Sequence, residues 1–152
     1  MPTIQHYSKD DIQKGNYVVT DTKNTVLIQI LDEDEGQFPR PPDEFKYVCR
    51  FIFEDTEDKN NHNAITNDDA KRIANILLNS YRNGWDVVVH CYAGVCRSSA
   101  VAIAGEKIGF TLEKKSRLPN ELVMSKVVKE LGVEDDSKSI KGVFMEKFLC
   151  RD

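Results

Sequence analysis

Nine consecutive residues, His90-Cys91-Tyr92-Ala93-Gly94-Val95-Cys96-Arg97-Ser98, put a sulfur nucleophile and a guanidinium at the two ends of one short loop. Five residues separate Cys91 from Arg97, a span that can curl round a single phosphate dianion. Backbone N–H groups of Tyr92, Ala93, Gly94, Val95 and Cys96 would then point inward at the oxygens, and Gly94 admits a backbone conformation that a side chain would block. Arg97 carries a planar fork that takes two phosphate oxygens at once. A helix N-terminus and a neighbouring cation favour thiolate over thiol, so Cys91 is expected as the attacking group. Ser98 is placed to donate a hydrogen bond to that sulfur. His90 is expected to brace the loop rather than act as a base, because the nucleophile arrives already ionised.

Transfer of a phosphoryl group to sulfur needs two further things. Charge on the equatorial oxygens must be held, and losing one preorganised donor typically costs on the order of 10²–10³ in rate. The leaving oxygen must also gain a proton, a contribution of about 10²–10⁴. A carboxylic acid must therefore stand close by. The acidic stretch Glu54-Asp55-Thr56-Glu57-Asp58 is the obvious supplier. Asp55 and Asp58 are its candidates, while Glu54 and Glu57 read as solvated.

Periodicity supplies the elements that must position these groups. Trp85-Asp86-Val87-Val88-Val89-His90 is rich in β-branched residues and reads as a buried, parallel central strand. Residues 98–108 are helical in composition, so the loop leaves a strand and enters a helix, where anions are naturally held. Residues 26–31 form another buried strand. Residues 45–53 form a third, with Tyr47, Cys49, Phe51 and Phe53 on one face. Between them, residues 32–42 are acidic and carry Pro39, Pro41 and Pro42, a surface loop. Thr66 or Asn67 caps a helix whose stripe is Ala70, Ile73, Ala74, Leu77 and Tyr81, ending at Gly84. Residues 4–7 suggest a short first strand, with Ser8 to Asp11 as a turn or cap. Asn120 caps a later helix with Met124, Val127, Val128 and Leu131 inward, and residues 139–149 suggest a last one. Strands alternating with helices predict an α/β fold, a central and mostly parallel sheet flanked by helices.

The 152 residues are the size of one compact domain, expected to span 1–152. A net charge of −4 argues against a general binder of nucleic acid or anionic membranes. No apolar run approaches the roughly 20 residues that span a bilayer, and Met1-Pro2-Thr3-Ile4 lacks the character of a signal peptide. A cytoplasmic protein is expected. Cys49, Cys91, Cys96 and Cys150 are too sparse for a secreted disulfide framework and are expected as thiols. No second pair completes a metal site around His90, Cys91 and Cys96.

His90-Cys91…Arg97-Ser98 resembles the signature of the cysteine-dependent protein tyrosine phosphatases, and Ala93-Gly94 with the serine looks like their dual-specificity branch. The order of an acid-tipped strand, a helix, a valine-rich strand and the loop is similar to the small phosphatases of this kind over residues 26–109. The resemblance implies a phosphotyrosine protein phosphatase-like fold, a phosphocysteine intermediate on Cys91 and Arg97 on the phosphate. It implies an aspartate as general acid and then base, with no metal and no cofactor. It also selects Asp55 ahead of Asp58, because such enzymes place the acid just beyond the strand. One departure concerns Cys96. The spacing Cys91-x4-Cys96-Arg97-Ser98 is similar to low-molecular-weight tyrosine phosphatases, in which the loop precedes the acid, the reverse of the order here. Two readings of Cys96 follow: a disulfide with oxidised Cys91, or a small residue packed behind the loop.

Rival readings are a rhodanese-like sulfurtransferase and a catalytically silent phosphate-binding module. A nucleotide-binding P-loop is excluded, since no G-x4-G-K-[ST] occurs. The loop interior holds no lysine, so an RNA 5′ end or a phosphoinositide would lack extra cations there. The expected substrate is protein phosphotyrosine, then phosphoserine or phosphothreonine. The expected partner is thus a phosphorylated protein, with neither nucleic acid nor membrane, acted on by a monomer.

Overall fold

The computed structural model describes residues 2–116 and 118–133. The helix expected over residues 139–149 lies outside them. In chain order the elements are β1 (Ile4–Ser8), α1 (Lys9–Lys14), β2 (Thr25–Leu31), β3 (Tyr47–Ile52), α2 (Asn67–Asn83), β4 (Asp86–Cys91), α3 (Arg97–Lys107) and α4 (Glu121–Leu131). Of the turn or cap expected over Ser8 to Asp11, the cap is what forms: Ser8 is the residue that starts α1. Ser8 Oγ accepts from the Asp11 N–H at 3.1 Å and the Asp11 carboxylate reaches back to the Ser8 N–H, a reciprocal cap. Thr66 and Asp69 start α2 in the same way, and Asn120 starts α4 by accepting from the Val123 N–H.

The four strands stand in the order β1-β4-β2-β3, and every neighbouring pair is parallel. Alternation along each strand splits the core into two layers. Val26, Ile28 and Ile30 of β2 and Val87, Val89 and Cys91 of β4 join α2, α3 and α4 in the larger layer. Leu27 and Val88 face the other side, where Ile12 and Phe45 cover them. The edge strand β3 buries Cys49 and Phe51 and turns Arg50 and Ile52 outward. Among the described residues no helix is long and apolar enough to cross a membrane.

Parallel pairing has one consequence for function. Ser8 pairs with Cys91, Gln29 with His90, and Leu31 with Ile52. All four strands therefore end along one edge, and the segments that follow them gather there, the usual place for a ligand in an open α/β sheet.

Candidate active site

Cys91 is the last residue of β4 and is only 2 % exposed. Its Sγ accepts the Gly94 N–H at 3.2 Å and lies 3.2 Å from Ser98 Oγ. Two polar hydrogens can thus face the sulfur, a setting that suits a thiolate. Gly94 makes the turn with φ of +76°, and a Cβ there would lie 2.6 Å from the Ser8 nitrogen and the Tyr7 carbonyl carbon. Glycine is required on both counts. His6 ties the outer side of the loop down, its Nδ1 lying 2.9 Å from the Gly94 oxygen. Tyr92 and Val95 stand exposed on the rim. Ser8, Thr66 and Asn120 cap α1, α2 and α4 with side chains, whereas α3, which starts at Arg97, has no side-chain cap. Helices leave their first amides without intrahelical partners, and a loop that curls over them offers those donors to an anion.

Arg97 is 3 % exposed. Its Nη1 donates to the Phe53 oxygen at 3.0 Å and its Nη2 to the Glu35 carboxylate at 2.8 Å. Its Nε has no partner among the described residues. A buried donor left unmade costs about 1–3 kcal/mol, so the guanidinium keeps one direction in which an acceptor would be favourable. Glu35 was not singled out in the sequence, where residues 32–42 read only as a surface loop. The segment is in fact held in place. Glu35 Oε1 accepts the Asp32 N–H at 2.9 Å, Lys9 Nζ donates to the Glu35 carbonyl at 2.8 Å, and Gln29 Nε2 donates to the Pro39 carbonyl at 2.9 Å. The signal that could have found Glu35 is positional: like Asp55, it follows the end of a parallel strand.

Asp55 comes to the same edge from beyond β3. Its Oδ1 accepts Asn120 Nδ2 at 2.7 Å, and that nitrogen also donates to the Thr56 carbonyl at 3.1 Å. The Asn120 N–H donates to the Cys96 carbonyl at 2.9 Å, which links the acidic segment to the loop. Cys96 is a half-buried free thiol, pushed up first by burial and then by the nearby Asp55 carboxylate. Asp58 closes a turn of its own, its Oδ1 accepting the Asn60 N–H at 3.0 Å. The geometry thus separates the two candidates. Glu57 is exposed, as read from the sequence, and accepts the Glu121 N–H at the first turn of α4, while the half-buried Glu54 accepts Asn61 Nδ2. Asn120, missed as a site residue, was legible only as a helix cap.

His90 is buried beside the loop with Nδ1 3.1 Å from the Cys91 carbonyl oxygen. A carbonyl can only accept, so Nδ1 carries the hydrogen. Burial lowers its pKa to about 4, with Lys9 and Arg97 adding to the effect and the bond to Cys91 opposing it. The imidazole is therefore neutral near pH 7, in keeping with a brace. Cys91 and Cys96 are free thiols, whereas Cys49 is disulfide-bonded, against the expectation for it.

No family model matches the chain, and no curated protein matches it either. Solved structures do. Human tyrosine phosphatase-like serine/threonine/tyrosine-interacting protein superposes with a TM-score of 0.57 at 20 % identity, covering 85 % of this chain and 91 % of that one. The fold is phosphotyrosine-phosphatase-like. OH1 of the Orf virus, described as a tyrosine phosphatase with triple substrate specificity, gives a TM-score of 0.47 at 16 % identity over 86 % of this chain and 60 % of that one. The wholly parallel sheet and its flanking helices agree with the α/β architecture expected from the sequence.

Proposed function

We propose that this phosphatase-like chain hydrolyses phosphate monoesters through a phosphocysteine on Cys91, with protein phosphotyrosine as its main substrate and phosphoserine or phosphothreonine as further ones. One observation carries the reading. A sulfur facing an N–H and a hydroxyl shares a loop with a buried guanidinium that keeps an unpartnered donor. In the first step the Cys91 sulfur attacks phosphorus, the ester P–O bond breaks, and Asp55 gives its proton to the leaving oxygen. The loop amides and Arg97 hold the equatorial oxygens. In the second, water attacks the phosphocysteine, Asp55 takes its proton, and the sulfur leaves with Ser98 donating to it. His90 only supports the loop. A groove of about 1080 Å³ runs beside Ala93, Gly94 and Val95, with Tyr7, Val18 and Lys114 on its walls.

The test is a set of phosphotyrosyl, phosphoseryl, phosphoinositide and RNA 5′-phosphate substrates with Cys91→Ser as the blank, together with rapid quenching of labelled substrate. The wild type should release phosphate fastest from phosphotyrosyl peptides and carry label on Cys91, and Cys91→Ser should bind vanadate yet turn over nothing. A wild type that yields neither phosphate nor phosphoenzyme would end the reading. Phosphopeptide binding without turnover would instead favour the silent module, a use suggested by the words "phosphatase-like" and "interacting protein" in the name of the human structure.

A further inference from the structure

The loop that follows Cys91 is tied from outside by β1 and the first residue of α1. The Lys9 N–H donates to the Tyr92 carbonyl at 3.1 Å. His6 Nδ1 lies 2.9 Å from the Gly94 oxygen, and its Nε2 lies 2.9 Å from the Lys114 oxygen. The loop peptides are trans, and in a trans peptide a carbonyl and the N–H that follows it point opposite ways. Turning the Tyr92 and Gly94 carbonyls outward therefore turns the Ala93 and Val95 N–H groups inward, where an anion would sit. Neither N–H has a partner among the described residues.

A carbonyl oxygen only accepts a hydrogen bond, and a neutral imidazole has one N–H and one bare nitrogen. Two carbonyls at 2.9 Å thus call for a ring protonated on both nitrogens. We infer that His6 is a positioning residue whose imidazolium clamps the Gly94 carbonyl to that of Lys114, so that the loop holds an oxyanion more tightly when His6 is protonated. The inference rests on the reading of the loop as the seat of the phosphate. The Lys114 side has a footing on the strand: the Ile4 N–H donates to the Thr111 carbonyl and the Thr111 N–H to the Pro2 carbonyl, both at 3.0 Å. Loss of the proton sets a lone pair against one of the two oxygens. Whichever oxygen the ring releases, the strut from that footing to the loop is broken. By linkage, a bound anion in turn favours the proton on His6.

Tyr7, Asp11, Glu113, Lys114 and Lys115 line the same groove as His6, and Lys115 is paired with Glu106 at 2.8 Å. All of them remain in a His6→Gln variant, so their titration is common to both proteins. His90, lowered to about 4 by burial, is neutral above about pH 5.

Sulfate is a suitable probe, because it stays a dianion over the range in which imidazole titrates. In the Cys91→Ser protein, where the nucleophile no longer ionises, calorimetric sulfate affinity should fall by about 5-fold or more between about pH 5.5 and 8. With His6→Gln added, affinity should be low throughout and change by less than about 2-fold. Parallel pH dependence in the two proteins would overturn the inference. A second measurement needs no variant at position 6. In the Cys91→Ser protein, the carbon resonances of the Gly94 and Lys114 carbonyls should move with the same midpoint as the nitrogen resonances of the His6 ring. Carbonyls that stay still while the ring titrates would remove the clamp. Absence of sulfate binding at any pH in both proteins would overturn the proposed seat of the phosphate as well, whereas binding that ignores pH would overturn the role of His6 alone.

Discussion

Arg97 illustrates how little freedom a single residue has at this site. Its guanidinium is buried and, among the described residues, the carboxylate paired with it is that of Glu35, itself partly exposed at the surface. Removing one partner of a buried pair leaves the other charge uncompensated, commonly at a cost of 3–5 kcal/mol. Glu35 is partly hydrated, so Glu35→Ala should cost less, about 2–3 kcal/mol in urea unfolding. Excess inorganic phosphate should restore more stability to that variant than it adds to the wild type, because a dianion supplies the missing counter-charge. Equal phosphate effects on the two proteins would show that the anion does not reach Arg97. Arg97→Lys should lose both affinity and rate, since an ammonium cannot hold two oxygens and the Phe53 carbonyl together. The aspartates make the sharper test. Asp55→Asn should slow phenyl phosphate hydrolysis by about 10²-fold, and Asp58→Asn, which alters only a turn, should stay within about 2-fold. The reverse outcome would reassign the acid.

At the scale of elements, the loop works because it is wedged between the end of β1 and the start of α3. Gly94→Ala would push a Cβ into the backbone of Tyr7 and Ser8. Titration with vanadate should show affinity weakened at least about 10-fold, with a stability loss of about 1–3 kcal/mol from the clash and the positive φ. α4 serves the site through its cap. Asn120→Ser keeps a capping oxygen but is too short to reach Asp55, whereas Asn120→Ala loses the cap as well, worth about 1 kcal/mol. The serine variant should therefore unfold at a higher temperature than the alanine variant while both lose the same share of kcat on phenyl phosphate. Differing rates would mean that the cap, rather than the tie to Asp55, is what matters.

Across the whole molecule, parallel pairing makes the ends of four strands a single edge, and each end supplies a group: Lys9 after β1, Glu35 after β2, Asp55 after β3 and Cys91 closing β4. The same edge buries His90, which ties the site to global stability. Its folded pKa of about 4 lies below its ordinary value of 6.5, so the unfolded chain binds the extra proton first. Stability from this residue is present above pH 6.5 and is lost as pH falls from there toward 4, a total of roughly 3 kcal/mol at about 1.4 kcal/mol per unit. His90→Asn offers an amide N–H in place of Nδ1–H and cannot titrate. Denaturant melts of that variant should show a smaller decline between pH 6.5 and 4 than the wild type. Parallel declines in the two proteins would place the acid sensitivity elsewhere.

The chain by itself determined what is local. The strand, loop and helix around Cys91, the α2 boundaries at Thr66 and Gly84, the start of α4 at Asn120, and the alternation of β3 all follow from side-chain period and capping chemistry, which act over a few residues. Partnerships between residues far apart in sequence were not legible there. Glu35 meets Arg97, and Asn120 meets Asp55, only because the parallel order of the strands brings their ends to one edge and α4 packs beside α3. An acidic residue in a proline-rich loop and an asparagine before a helix have the same local signature whether or not they touch a site. Tertiary packing alone turned one into the counter-charge of the guanidinium and the other into a tether for the carboxylate.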